Sequence, residues 1–430
     1  MNTKINLKKI VAISLLIIAT SFSLTVFAQK EVIYSSDWGE KLPSFPNHLI
    51  LKSNVVFVHE DMTMTCDSAV FNTEENLINA YNNIHIYQDT LHLYGDEFIY
   101  DADTKIAEIF GDTVTLYDNN TTLQTDYMVM DREAQTVRYT THAYIWDEEN
   151  TLESELGTYL IDTKIFEFTK QVKLNSPQVN ILSDSLFYES KTDIARFYNK
   201  TDITTKDSVK IYTSQGFYNT KTDDATLFKD NLIISDSKHL IADSIYYNTK
   251  TENAKAFRNI FIKDSVNQII AYSHYLEKDK KGEIPYIYLT TDLLLQQIEE
   301  QDTLHLHCDS VWIYFDTTMK AENMYAYNHV KFFRQDMQGV SDLLHYDVKD
   351  SLVYFLGLPV LWSEENQFTA DTISLKTSKT TIKAMYMYPN VIIAQNSDTT
   401  TKKYFNQISG KRFRADLSKG KIKFAEIQQQ

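Results

Sequence analysis

Two kinds of residue cluster in this 430-residue chain could carry chemistry. Asp-Ser pairs recur at Asp67-Ser68, Asp184-Ser185, Asp243-Ser244 and Asp309-Ser310. A carboxylate beside a hydroxyl suggests a base and a nucleophile. Neighbouring residues of a strand point to opposite faces, however, so such a pair is poorly placed for proton transfer. His305-Leu306-His307-Cys308 is the one metal-like cluster, because histidines at i and i+2 share a strand face, as zinc ligands can. It specifies no local third ligand and sends His307 and Cys308 to opposite sides, so strand histidines near a sheet edge are the plainer reading. The sequence contains no G-x-S-x-G, H-E-x-x-H, P-loop or dinucleotide fingerprint. Its acids are spread widely enough to suggest a glycosidase pair on a β-helix, yet nothing singles out two of them. No catalytic residue, metal ligand or cofactor is therefore assigned, and the chain is read as not an enzyme.

The elements that position these residues explain why the pairs recur. Aligned on the acid, the chain shows anchors at Asp67, Asp96, Asp126, Glu155, Asp184, Ser214, Asp243, Tyr272, Asp309, Asp342 and Asp371. Most intervals are 29 or 30 residues, and the one from Tyr272 to Asp309 is 37. A fixed period of this kind marks a repeat architecture. Apolar residues recur two and four places after the anchor, as in Phe98/Tyr100, Leu186/Tyr188 and Ile245/Tyr247. A polar turn follows, then a small or β-branched residue at eleven and an apolar one at thirteen, such as Ala195/Phe197. Alternation with a period of two predicts strands, about three short ones per unit, and helical periodicity is nearly absent. One such unit cannot bury its apolar face alone and must stack on its neighbours. The fold class expected is all-β, an elongated repetitive stack of two sheets with units of about 29 residues.

Composition agrees. A hydrophobic fraction of 43% with 23% charged residues can fill a large core. Gly (10) and Pro (6) are scarce, so Asn, Asp, Ser and Thr must build most turns. Lys4, Lys8 and Lys9, the apolar run Ile10–Phe22 and Val26-Phe27-Ala28 form a secretory signal pattern. Losing those three lysines takes the formal charge from −16 to −19. So acidic a chain argues against nucleic acid as a partner. Cys66 and Cys308 each precede an anchor, many units apart, and are expected as free buried thiols rather than a disulfide. The extra residues around Glu277–Glu283 are expected as a surface loop. The expected organisation is a signal peptide at 1–28, a lead-in at 29–44, the repeat body at 45–384 and a looser repeat-like segment at 385–430.

The unit (A/G)D-x-x-x-Y-(N/D)-x-x-x-x-x-A-x-x-x-(G/N)-x-V-x-(L/I) appears in the run Gly95–Leu116 and again from Ala242 to Ile260. Over roughly residues 45–375 the chain resembles the OstA/LptA-like proteins of lipopolysaccharide transport, particularly the OstA-like proteins of Bacteroidetes-type bacteria. The resemblance implies a β-jellyroll whose two antiparallel sheets form an open V with an apolar groove. It implies a periplasmic bridge protein carrying the acyl chains of lipid A toward the outer membrane, with outer-membrane association as a variant. Its partners would be lipopolysaccharide and the inner- and outer-membrane transport components, joined by edge-strand addition. Groove-lining residues are expected at Phe98, Tyr100, Leu186, Tyr188, Phe197, Tyr218, Ile245 and Tyr247. Two alternatives stay open on the residues: a structural or adhesive β-solenoid with a closed core, and a polysaccharide-active β-solenoid enzyme.

Overall fold

The computed structural model describes residues 31–298, 302–378, 381–397, 404–418 and 421–429. The signal pattern at 1–28 lies outside the described residues. Those described are all-β, with antiparallel pairing throughout and no helix among them. They fall into two compact units: one reaches Leu116 and includes Asp131–Glu133, and the other comprises Tyr117–Met130 and Ala134 onward.

In the first unit the strands Phe45–His59, Met62–Asn72, Leu77–Gln88 and Leu91–Asp101 run back and forth as neighbours. Each is bent once near its middle. Pairing of Phe45–His59 with Met62–Asn72 breaks between Lys52 and Val55, opposite Asp67. The next pair of strands, Leu77–Gln88 and Leu91–Asp101, breaks between Tyr81 and Ile84, opposite Asp96. The chain turns this corner through two residues with positive φ, Ser53-Asn54 in one strand and Asn82-Asn83 in the other. Asn tolerates that conformation better than most side chains. The corner puts the two halves of a strand in different layers. Their inner faces meet, as Phe57 and Phe71 do with ring centroids 5.8 Å apart.

The second unit repeats the scheme. Corners fall at Lys170-Gln171, Arg258-Asn259, Thr291-Asp292 and Asn328-His329, all with positive φ. A 29-residue unit is therefore two passes of chain, each cornered at the middle, rather than three short strands; a pass is one long bent strand in some units and a pair of short strands, such as Thr136–Tyr139 and Ala143–Trp146, in others. The polar pair at the corner reads like a turn in sequence, but the chain bends there instead of reversing.

The anchors sit opposite these corners and tie them. In the first unit Asn83 Nδ2 donates to Asp67 at 2.7 Å and the Asp112 amide donates to Asp96 at 3.2 Å. In the second, Gln171 Nε2 donates to Glu155 at 2.9 Å and Asn259 Nδ2 to Asp243 at 2.9 Å. At Ser214 the roles reverse, and its hydroxyl donates to Asp230 at 2.8 Å. The eighth anchor is His274 rather than Tyr272. Tyr272 is paired with Leu294 and is 42% exposed, whereas His274 sits at the unpaired corner, its Nε2 3.8 Å from Asp292. The displacement follows from the turn before it, with four residues between Asp264 and Ile269 against two between Asp118 and Thr121. Further on, Tyr286–Ile298 and Thr303–Phe315 have 13 residues each against 11 in Ile269–Asp279. Extra residues thus enter strands as well as the turn after Asp279.

The slot before the anchor holds a small residue, and in several units its side chain turns back to the carbonyl two residues on. Ser183 and Ser273 donate to Ser185 O and Tyr275 O at 2.9 and 3.0 Å. Cys66 and Cys308 occupy the same slot, with their sulfurs 3.3 and 3.4 Å from Ser68 O and Ser310 O. Both are free and buried. Successive turns are also linked. The amide of Thr220 donates to Asp193 O at 2.9 Å and that of Thr249 to Asp223 O at 2.8 Å, and both acceptor residues have positive φ.

Candidate functional site: the inner apolar row and its open end

The interior of the second unit contains one continuous row of side chains, each directly across from the next on neighbouring strands. It runs Phe166, Tyr188, Ala195, Tyr218, Ala225, Tyr247, Ala254, Lys278. It continues Ile287, Ile313, Met324, Tyr346, Val353, Leu375, Met385. Alternation along each strand places this row on the face turned toward the facing layer.

Up to Ala254 the row is sealed. The eight residues expected to line a groove, three of them in this row, are all buried, none more than 6% exposed. In this structure they touch protein. Several tyrosines also latch the layers at their tips. In the first unit Tyr100 OH lies 2.7 Å from His59 Nδ1 and accepts from Arg132 Nη1 at 2.9 Å. In the second, Tyr159 OH donates to Asp118 at 2.5 Å and Tyr188 OH to Asp147 at 3.2 Å. Each of these links joins a tyrosine near the end of one strand to the far end of a strand in the other layer. Tyr218 OH donates to Asp223 at 3.0 Å. Burial holds the Tyr218 hydroxyl pKa up at about 12 and raises those of Tyr100, Tyr159 and Tyr188, so they remain donors.

At Lys278 the pattern changes. A lysine stands where the rungs before it carry Phe, Tyr or Ala. Burial lowers its pKa, while the Glu252 carboxylate 3.5 Å away holds it up. Beyond it Ile287, Ile313, Met324, Tyr346 and Val353 are only half-buried. Neither Lys278 nor Ile313 can supply the phenol that latches earlier rungs.

The row ends at a cavity of about 290 Å³. Its walls are Met385, Ala415, Leu417 and Ile422 on one side, with Met337, Phe368 and the turn Ser363–Asn366 on the other. That size is near the lower end of ligand pockets, ~300–1,000 Å³. Met337, Phe368 and Met385 are buried, while Ile422 at the mouth is 48% exposed. Among the described residues the strands here, Phe405–Gly410 and Lys421–Gln428, each pair on one side only, with Val391–Asn396 and Arg412–Ser418. Phe405, Ile408 and Phe424 stand exposed along them.

The reactive-looking clusters do not assemble into a site. The Asp-Ser pairs are corner anchors, with Asp243 engaged by Asn259. His305 Nδ1 lies 3.1 Å from Gln296 Nε2, and Cys308 is buried with its thiol pKa pushed up to about 12 by burial. Among the described residues no group of three or more His, Cys, Asp or Glu could hold a metal ion. Sequence reasoning missed the cavity and the half-open row. The signal available was the replacement of the Tyr rung by Lys278 and Ile313.

The fold and interior define an antiparallel β-repeat protein with a graded apolar interior. Residues 38–184 match the family described as OstA-like protein, and residues 298–381 match the family described as LptA/(LptD N-terminal domain) LPS transport protein. The chain is OstA/LptA-like over these two segments. Among solved structures it is similar to LptH of Pseudomonas aeruginosa, described as the LptA homologous periplasmic component of the conserved lipopolysaccharide transport device. That similarity has 13% identity, covers 33% of this chain and 84% of LptH, and has a TM-score of 0.17. No curated protein matches the chain.

Proposed function

We propose that the protein is a periplasmic lipopolysaccharide-transport bridge with a non-catalytic role, engaging lipid acyl chains on the inner row from Ile287 to the cavity at Met385. The observation that carries this reading is a coincidence of position. The segment matching the LptA/LptD N-terminal family, 298–381, contains Ile313, Met324 and Tyr346 of the half-open row together with Met337 and Phe368 of the cavity. Each methylene that leaves water for such a surface contributes about 0.8 kcal/mol, without directional preference. A chain can therefore move along similar rungs. The earlier wall, with Phe98, Tyr100, Leu186, Tyr188, Phe197, Tyr218, Ile245 and Tyr247, would join the path where its layers part. The half-paired strands Phe405–Gly410 and Lys421–Gln428 are suited to strand addition by a membrane-bound transport component. The bounds at 45–384 and 385–430 enter this reading as the repeat body and its docking end.

The test is lipid retention. Protein purified from a lipopolysaccharide-producing host is examined by native mass spectrometry. Bound lipid A species are expected, with at least a tenfold loss in Leu417→Glu and Ile422→Glu and retention in Arg414→Glu on the opposite face. Lipid-free protein, or equal loss in all three variants, would overturn the reading.

A further inference from the structure

The face opposite the inner row carries a second, separate row. In register across neighbouring strands stand Tyr288, Trp312, Tyr325, His345 and Tyr354. Ring contacts connect them: Tyr288 and Trp312 at 4.4 Å, Tyr325 and His345 at 4.3 Å and 2° between planes, His345 and Tyr354 at 5.6 Å, with Tyr314 bridging Trp312 and Tyr325 at 6.0 Å from each. All are only half-buried, and residues beside them on this face, Tyr246 and Tyr327, are 48% and 37% exposed. Cross-strand ring pairs do stabilise a sheet. Earlier strands of the same unit interrupt this outward row: Glu167 and Arg196 flank Phe187, and Arg196 and Thr226 flank Phe217. The sheet forms there without rings in direct succession. A contiguous exposed aromatic surface marks an interaction site.

Charge selects the occupant. The chain as a whole is strongly acidic, yet the charges along this stripe are internally matched. Glu277 accepts from Tyr275 OH at 2.7 Å and Tyr286 OH at 3.2 Å and faces Lys255 Nζ at 3.4 Å. His345 Nε2 lies 2.9 Å from Asn323 Oδ1. A surface of flat rings with compensated charge offers little to an anionic polymer. It suits a ligand with one apolar face and a rim of hydroxyls, namely a sugar ring, whose C–H face lies on an aromatic face while its hydroxyls meet tyrosine and amide groups. One strand step, about 4.8 Å, separates successive rings, which suits an extended chain of such units.

We infer that this outer stripe centred on Trp312 binds the uncharged part of the sugar chain of lipopolysaccharide. The source of the sugar rests on the transport reading above; the binding chemistry does not. The inner and outer rows alternate on the same strands, Ile313 beside Trp312 and Met385 beside Tyr386. One amphiphile could thus meet the protein with its acyl part inside and its sugar part outside.

The experiment uses the full chain and lipopolysaccharide sugar chain freed of lipid A by mild acid. Binding is followed by tryptophan fluorescence and by retardation in polysaccharide-containing native gels. The expected result is saturable binding, weakened at least tenfold in the Tyr288→Ala/Trp312→Ala double variant and within about threefold of the parent in Trp312→Phe, with circular dichroism unchanged. Leu417→Glu, which blocks the cavity, leaves sugar binding intact, so failure of the lipid reading is seen separately. Absence of binding, an unchanged affinity in the double variant, or preference for cell-wall glycan or an acidic polysaccharide would overturn the inference.

Discussion

Asp118 is the most demanding test of the latched interior. Its carboxylate is 1% exposed, accepts from Tyr159 OH at 2.5 Å and also meets the Lys164 ammonium, which is 20% exposed. Removing one partner of a buried ion pair costs roughly 3–5 kcal/mol. Lys164 can partly rehydrate through its exposed end, which lowers the figure, while the Tyr159 hydroxyl loses a charged acceptor, a bond of about 1.5–3 kcal/mol. Asp118→Ala is therefore expected to cost about 3 kcal/mol locally. Repeat proteins open in segments, so the fitting assay is native-state hydrogen exchange at Leu156–Leu160 and Ile165–Asn175. Protection there should fall on the order of 100-fold, since 1.4 kcal/mol is tenfold. Asp118→Asn keeps an acceptor but no charge and should lose less. Pairing Asp118→Ala with Lys164→Met should recover part of the loss. A change below about threefold, or no recovery in the double variant, would refute the claim that these tyrosine contacts hold the layers together.

Three further outcomes are expected. Burial raises the thiol pKa values of Cys66 and Cys308 to about 11 and 12, so neither should alkylate in the native protein at pH 8, and both should do so after unfolding. Because serine fills the same slot elsewhere, Cys66→Ser and Cys308→Ser should change stability by less than ~1 kcal/mol in denaturant melts. Asn259→Val, which places a β-branched residue at φ +49° and removes the bond to Asp243, should cost about 1–2 kcal/mol, and Asn259→Gly much less. Glu252 is half-buried, which alone would raise its pKa, but Lys278 and Lys280 hold it below the ordinary 4.5. A depressed carboxyl pKa contributes stability above 4.5 that is lost as pH falls through the folded value. Between pH 6 and 3 the melting temperature should therefore drop more steeply in the parent than in Glu252→Gln.

The fold was legible because the repeat exposes it many times over. From Asp67 to Asp243 the residues at two, four, eleven and thirteen after an anchor, such as Phe98, Tyr100, Ala195 and Phe197, are all buried. Strand number was not legible, because Asn82-Asn83 and Arg258-Asn259 look like turn formers and only register shows that the chain bends through them. The anchor acid reads as the beginning of a strand, whereas Asp67 and Asp96 lie inside strands, opposite the corners. The Tyr272 assignment failed for a local reason: the turn between Asp264 and Ile269 is four residues long where Asp118 and Thr121 are separated by two, and the corner moves on to His274. Which part of the wall is sealed could not be read either. Tyr188 and Tyr346 are the same residue type at the same repeat position. Only Tyr188 finds an acid across the layers, at Asp147, and is buried.

The central claim is that lipid meets the inner face at the cavity end. Photo-reactive residues placed at Leu417 or Ile422, which line the cavity, and at Arg414, which is exposed on the strand's other face, can be compared by irradiation with radiolabelled lipid A lacking its sugar chain. Crosslinks to lipid at Leu417 and Ile422, absent at Arg414, are the predicted result. No crosslink at the cavity, or equal labelling of all three positions, would contradict it.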